Sequence, residues 1–203
     1  MLEHIPGWLG AALKGVRAGA EKLAITQAEL AAPASLQLMS PAFADGGRLP
    51  ERFTQDGEGA SPPLVWSGVP AGAASLALLV EDPDAPAPHP LVHAVVWALP
   101  ADAGRLEEGA LGPDRASEGE VGRASFRHQG WLPPDPPTGH GEHRYVFQLF
   151  SLGAGAGDPG PDADRAKLVR AMSGQVLAAG VLTGLYSRGT SAATGPDGVV
   201  VTA

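Results

Sequence analysis

Apolar positions in the first thirty-one residues recur at alternating steps of four and three: Leu9, Leu13, Val16, Ala20, Leu23 and Leu30, with Gln27 a polar lapse. That spacing predicts an amphipathic helix over residues 7–31, Ala-rich along its length and stopped by Pro33. The flanking charges are balanced, Lys14, Arg17 and Lys22 against Glu3, Glu21 and Glu29. A strongly basic polar face is missing, so the seam is expected to pack on the domain or on a second copy, as a homodimer, rather than on a membrane.

Beyond Pro33 the period shortens. Residues 35–40 alternate and read as a strand; Gly46-Gly47 and residues 56–59 read as turns, and Leu64-Val65-Trp66 as a short strand after Pro62-Pro63. Residues 76–80, 92–99 and 145–150 are nearly continuous apolar runs, the pattern of core strands. From Asp164 to Gly180 the helical period returns, with Asp162 or Asp164 near its start, and residues 181–186 suggest a last strand. Strands first and a helix late, without regular strand–helix alternation, predict a mostly antiparallel β fold with peripheral helices. The expected organisation is an N-terminal helical extension (1–33), one domain (34–189) and a C-terminal tail (190–203).

Composition narrows the function. The 203 residues hold 28 glycines and 20 prolines, nearly a quarter of the chain, which fits a loop-rich β domain. A formal charge of -8 argues against non-specific nucleic-acid binding, which depends on a basic surface. With no cysteine, disulfides, thiolate nucleophiles and cysteine metal sites are excluded, and a reducing cytoplasm is the expected location. Charges interrupt any secretory signal, and no apolar run approaches membrane-spanning length.

The candidate chemistry gathers at predicted strand ends. Glu81-Asp82-Pro83-Asp84-Ala85-Pro86 follows a core strand; Pro83 and Pro86 hold the acids in stiff backbone, although the stretch alone reads as a turn. His93 opens one strand and His143 precedes another that starts at Tyr145. A carboxylate, two imidazoles and a phenol at neighbouring strand ends could hold a small anion or a hydroxyl-rich head group. A metal site built from His140 and His143, or His89 and His93, with Asp82 or Asp84, competes with this, though neither spacing is a known motif. Ser61, Ser125, Ser151 and Ser173 lack the Gly-x-Ser-x-Gly elbow, and no glycine loop opens a helix to cradle phosphate. Residues 133–139 carry four prolines in five positions, a rigid wall that costs little to order around a ligand.

Taken in order, residues 53–66, Asp82 to Pro86, His93, Pro136-Pro137-Thr138-Gly139-His140-Gly141-Glu142-His143-Arg144-Tyr145 and Met172 to Ala178 resemble the phosphatidylethanolamine-binding protein family, in its bacterial, Raf kinase inhibitor-like branch. Residues 172–178 look like that family's C-terminal helix. The resemblance implies a β-sandwich-like fold with a rim cavity for phosphate, acetate or phosphorylated head groups. It also implies modulation of a kinase or a protease through protein contact. By position it assigns Asp82, His93, His143 and Tyr145 to the pocket, with Asp135, Pro136, Pro137 and Gly139 as one wall. Arg144 is expected to be paired structurally, facing away from the cavity. The sequence departs from the family at several points: Gln55 and Gly59 stand where Cys and Asn are usual, Ala94 where an aromatic follows the histidine, and Ala98 where Asn is common. Asp135 adds a negative charge beside the cavity, unfavourable for an anion unless paired.

The expectation is therefore a non-catalytic binding protein without metal or cofactor. Its alternative is a metal-assisted or histidine-dependent hydrolase.

Overall fold

The computed structural model describes residues 7–112 and 119–188; the predicted tail, 190–203, lies outside them. The domain is built on a six-stranded sheet in the order β2–β9–β8–β4–β5–β7, where β2 is Gly47–Arg48, β4 Ser75–Asp82, β5 Leu91–Pro100, β7 Glu120–Val121, β8 His143–Leu152 and β9 Val176–Tyr186. All its pairings are antiparallel except β2 with β9. A second, three-stranded antiparallel sheet, β1 (Gln37–Met39), β3 (Leu64–Ser67) and β6 (Arg105–Leu106), covers one face.

Strand β4 lies at the centre and is buried on both faces, which is why it reads as an unbroken apolar run. Leu76, Leu78 and Val80 join Leu38, Leu64, Trp66, Phe147 and Leu149 between the two sheets. Ala77 and Leu79 join Val95, Trp97 and Phe150 on the opposite face, under Leu168, Val169 and Met172 of helix α2 (Arg165–Met172). The predicted mostly β, sandwich-like architecture is what the chain adopts.

Two predicted helices are shorter than the periodicity suggests. At the N-terminus, helix α1 spans only Gly7–Ala12, and three separate 3₁₀ turns follow, at residues 20–22, 24–26 and 28–30. Gly19, at φ +106°, breaks the path. The backbone amides have also been claimed by tertiary acceptors: Ala18 N–H by the Ala85 carbonyl, Gly19 by Pro83, Ala24 by the Glu81 carboxylate and Ile25 by the Gln148 side chain. A helix over 7–31 would have used those donors itself. Of the seam, Leu23 and Leu30 are buried in the chain's own structure and pack on the domain, while Val16 is exposed. At the other end, α2 begins on Asp164, whose side chain accepts from Lys167 N–H, and stops at Met172. Gly174, at φ +68°, turns the chain, so Val176-Leu177-Ala178 belongs to β9 rather than to a helix.

The segment is pinned by buried acids at the exit of β4. Glu81 is fully buried, ion-paired with Arg165 and hydrogen-bonded by Gln148 and Ala24 N–H. Two residues past the strand's last hydrogen-bonded pair, Asp84 holds Arg144 through both of its carboxylate oxygens at 2.7 Å, and Arg17 at 2.7 Å. Burial pushes the Asp84 carboxyl up, but the side-chain and backbone hydrogen bonds from Arg144, and that from Arg17, outweigh it and hold it down to about 2.

Two measurements check this architecture. Because the folded pKa of Asp84 lies below its ordinary value, the unfolded chain takes up that proton first as the pH falls. Asp84 should thus contribute about 2 kcal/mol above roughly pH 4 that is lost on acidifying to about pH 2. Urea titrations across that range should show this part of the acid dependence, and the Asp84→Asn protein should lack it. Separately, exposed Ala98 sits in the left-handed region at φ +54°, where the register of β5 against β4 shifts between Leu76 and Leu78. Asn tolerates that conformation better, so Ala98→Asn should raise the unfolding free energy by about 0.5–1 kcal/mol.

Candidate functional site

Three long neighbouring strands deliver side chains to one end of the large sheet. Asp82 closes β4, His93 is the third residue of β5, and His143 and Tyr145 are the first and third of β8. The two-residue spacing puts His143 and Tyr145 on the same face, with Arg144 between them pointing the other way, to Asp84. Asp82, His93, His143 and Tyr145 are all at least 97% buried, so every polar atom among them needs a partner.

Those partners are specific. Asp82 Oδ1 accepts from Asp84 N–H at 2.8 Å, and Oδ2 lies 2.7 Å from His143 Nδ1. His143 Nε2 lies 2.7 Å from Nδ1 of His140, whose Nε2 faces the carbonyls of Leu13 and Val16 at 2.9 and 3.1 Å. His93 Nδ1 donates to the Leu132 carbonyl at 2.7 Å, and its ring stands edge-on to Tyr145 at 5.0 Å. Burial pulls His93 down, the nearby His143 adds to this, and the charge of Asp82 and the Leu132 bond only partly offset it. His93 is therefore a neutral imidazole with its lone pair on Nε2, an atom with no hydrogen-bond partner among the described residues. Burial, with the charges of Asp82 and Asp135, pushes the Tyr145 phenol well above its ordinary value, so it keeps its O–H.

These groups line a cavity of about 600 Å³. Pro133, Asp135, Pro136 and Pro137 supply the stiff wall expected from the proline run, while Gln55, Leu91 and residues 126–129 complete the rim. Gly139 does not line the cavity. At φ +84° it makes the turn that lets His140 N–H bond back to the Pro137 carbonyl, and so aims His140 at His143. The charge of Asp135 is not loose: Arg188 pairs with it at 2.6 Å, with Asp56 at 2.7 Å, and with the Pro136 carbonyl at 3.2 Å. One guanidinium thereby fastens the proline wall to the residues that follow β9 and offsets part of the charge beside the cavity.

Several of these roles were hidden in the sequence. The sequence marks His140 only as a candidate metal ligand and as part of the resembling motif, and singles out neither Arg188 nor the rim at residues 126–129. At that rim Phe126 and Arg127 both take positive φ, +59° and +60°, and Phe126 is largely exposed. Among the described residues no group of three His, Cys, Asp or Glu side chains is arranged to hold a metal ion. The His140–His143–Asp82 series spends its ring nitrogens on hydrogen bonds within itself and to backbone.

The chain is similar to several known proteins. The phosphatidylethanolamine-binding protein family model matches residues 39–187. A "UPF0098 protein" of Methanothermobacter thermautotrophicus is 43% identical over 155 residues, 76% of this chain and 100% of that protein. LppC of Mycobacterium tuberculosis, named as a lipoprotein, is 38% identical over 165 residues, 79% of this chain and 78% of that one. Among solved structures, Escherichia coli YbcL, described as a new member of the mammalian PEBP family, superposes with a TM-score of 0.71 at 28% identity, covering 76% of this chain and 99% of its own. The PEBP homologue CT736 of Chlamydia trachomatis gives 0.68 at 33%, covering 76% and 98%. The chain belongs to the phosphatidylethanolamine-binding protein family.

Proposed function

We propose that this protein is a non-catalytic binding protein whose cavity takes a small anion, a phosphate or a carboxylate, free or as part of a phosphorylated lipid head group. The observation that carries this reading is that both acids of the cavity are paired. Asp82 is matched by the histidine pair, and Asp135 shares Arg188 with Asp56, so the repulsive field of the two cavity carboxylates is weakened. What remains on the floor is a phenol O–H and an imidazole, with Arg127 and His128 at the rim. The apolar and proline walls strengthen the hydrogen bond that the Tyr145 O–H donates to a bound oxygen, while the His93 Nε2 lone pair accepts from a protonated one.

The hydrolase alternative gains no such support. The cavity lining contains no Ser, Thr or Cys among the described residues, so His143 has no nucleophile to activate there. Modulation of a kinase or protease is a second layer of the proposal and rests on family resemblance; the exposed Phe126 rim is the surface it would use. The cysteine-free sequence supports a cytoplasmic location. No described helix is long and apolar enough to cross a membrane, and the lipoprotein name of the mycobacterial relative concerns that protein.

The test is a calorimetric or NMR titration with inorganic phosphate and with phosphoethanolamine. Tyr145→Phe removes one O–H donor without emptying the floor, and should weaken binding about tenfold, the loss expected for one hydrogen bond to a charged group. His143→Ala should weaken it at least as much. Unchanged affinity in both variants removes the pocket assignment. Fractionation of cells producing the full chain checks the location, with recovery in the membrane pellet the adverse result.

A further inference from the structure

The hydrogen-bond series behind the cavity can be counted in protons. At one end, the carbonyls of Leu13 and Val16 only accept, so His140 Nε2 must carry hydrogen. In the middle, two ring nitrogens 2.7 Å apart must have one proton between them. At the other end, 2.7 Å between His143 Nδ1 and Asp82 Oδ2 needs another. Three protons on three contacts are one more than a carboxylate and two neutral imidazoles hold. The Asp82–His143–His140 series is therefore net neutral, whichever side of the Asp82 contact the last proton occupies.

That count depends on residues 10–17, which lie outside the stretch matched by the family model. If those carbonyls were replaced by water, which donates as well as accepts, His140 could turn its lone pair outward. The series would then be satisfied by two neutral imidazoles, leaving Asp82 with an unbalanced negative charge against the cavity. The other charges around the pair reinforce the observed arrangement. Burial, the proximity of His143 and the charge of Arg17 all disfavour a proton charge on His140, and only its two carbonyl bonds favour one. Arg17 and Arg144 are themselves bound to Asp84, and His93 and Tyr145, from β5 and β8, are neutral.

We infer that residues 10–17 are a positioning element of the pocket: by presenting the Leu13 and Val16 carbonyls to His140 they fix its tautomer, load one extra proton onto the histidine–aspartate series, and so open the cavity to anions. The fit of the segment supports this. Gly10 is buried against the loop that carries His140, and a Cβ there would overlap the Thr138 carbonyl oxygen. Arg17 clamps the other end, bonding the Glu142 carbonyl at 3.1 Å as well as Asp84. The series thus sits between two anchors of one short strap.

The proposal rests on the anion-pocket reading for its consequence, but its structural half is measured without ligand. In the full-length protein at neutral pH, nitrogen-15 NMR of the histidine rings should show His140 protonated at Nε2 with its Nδ1 accepting from His143. Gly10→Val, which forces the strap off the loop, should convert His140 to the Nδ1–H form. It should also weaken binding of acetate, a probe whose own charge is constant above about pH 6, by about tenfold. Arg17→Met releases the opposite anchor without touching the core, and should shift both readouts in the same direction should Gly10→Val fail to fold. A wild-type His140 lacking the Nε2 proton overturns the inference, as does an unchanged ring pattern in the folded variants. If acetate binds no version of the protein while the ring pattern shifts as described, the anion reading fails and the positioning role stands.

Discussion

Three acids leave the central strand within four residues, Glu81, Asp82 and Asp84, and all three are buried. A buried carboxylate is tolerated only when it is paired and its oxygens are hydrogen-bonded. Here each acid is answered from a different part of the chain. Glu81 takes Arg165 from helix α2 and the Ala24 amide; Asp82 takes His143, and through it His140; Asp84 takes Arg144 and Arg17. Meeting these demands fixes the helix, the start of β8, the proline-rich loop and the N-terminal strap relative to one another. Removing any one acid would strand a positive group whose place was set by it.

The cavity follows from the same constraint. Its floor is made of side chains whose own hydrogen bonds are mostly spent inside the protein, which holds them still. Its wall is a proline run tied down by Arg188, so little backbone remains to be ordered when a ligand enters. The departures from the family pattern fall into place individually. Asp135 shares Arg188 with Asp56, whereas Ala98 occupies a left-handed position for which Asn, the residue the resemblance leads one to expect, is better suited.

The strands were legible because burial on both faces of β4, β5 and β8 leaves long apolar runs, and few other arrangements use such runs. That Asp82, His93, His143 and Tyr145 meet at one cavity was legible from their strand-end positions and the family resemblance. The N-terminal helix was overread because a spacing of three and four residues is shared by an α-helix and by successive turns that bury the same side. Leu23 and Leu30 face inward in both. Which one forms depends on where the amides of Ala18, Gly19, Ala24 and Ile25 bond, and their acceptors lie 57 to 123 residues away for Glu81 and Gln148. Similarly, Val176 to Ala178 continue a helical period on paper, but Gly174 and the open edge of β8 make them a strand.

By itself the sequence determined the mostly β class, the core strands and the stiffness of the acidic exit and of the proline wall, because these follow from side-chain burial period and from proline's fixed backbone. Tertiary structure alone decided the partners: that Arg188 joins Asp135 to Asp56, that His140 Nδ1 meets His143 Nε2, and that the backbone carbonyls of Leu13 and Val16, just past α1, face the other nitrogen of His140. Hydrogen bonds and charge pairs between distant residues leave no periodic trace, since their geometry exists only once the strands have brought the groups together.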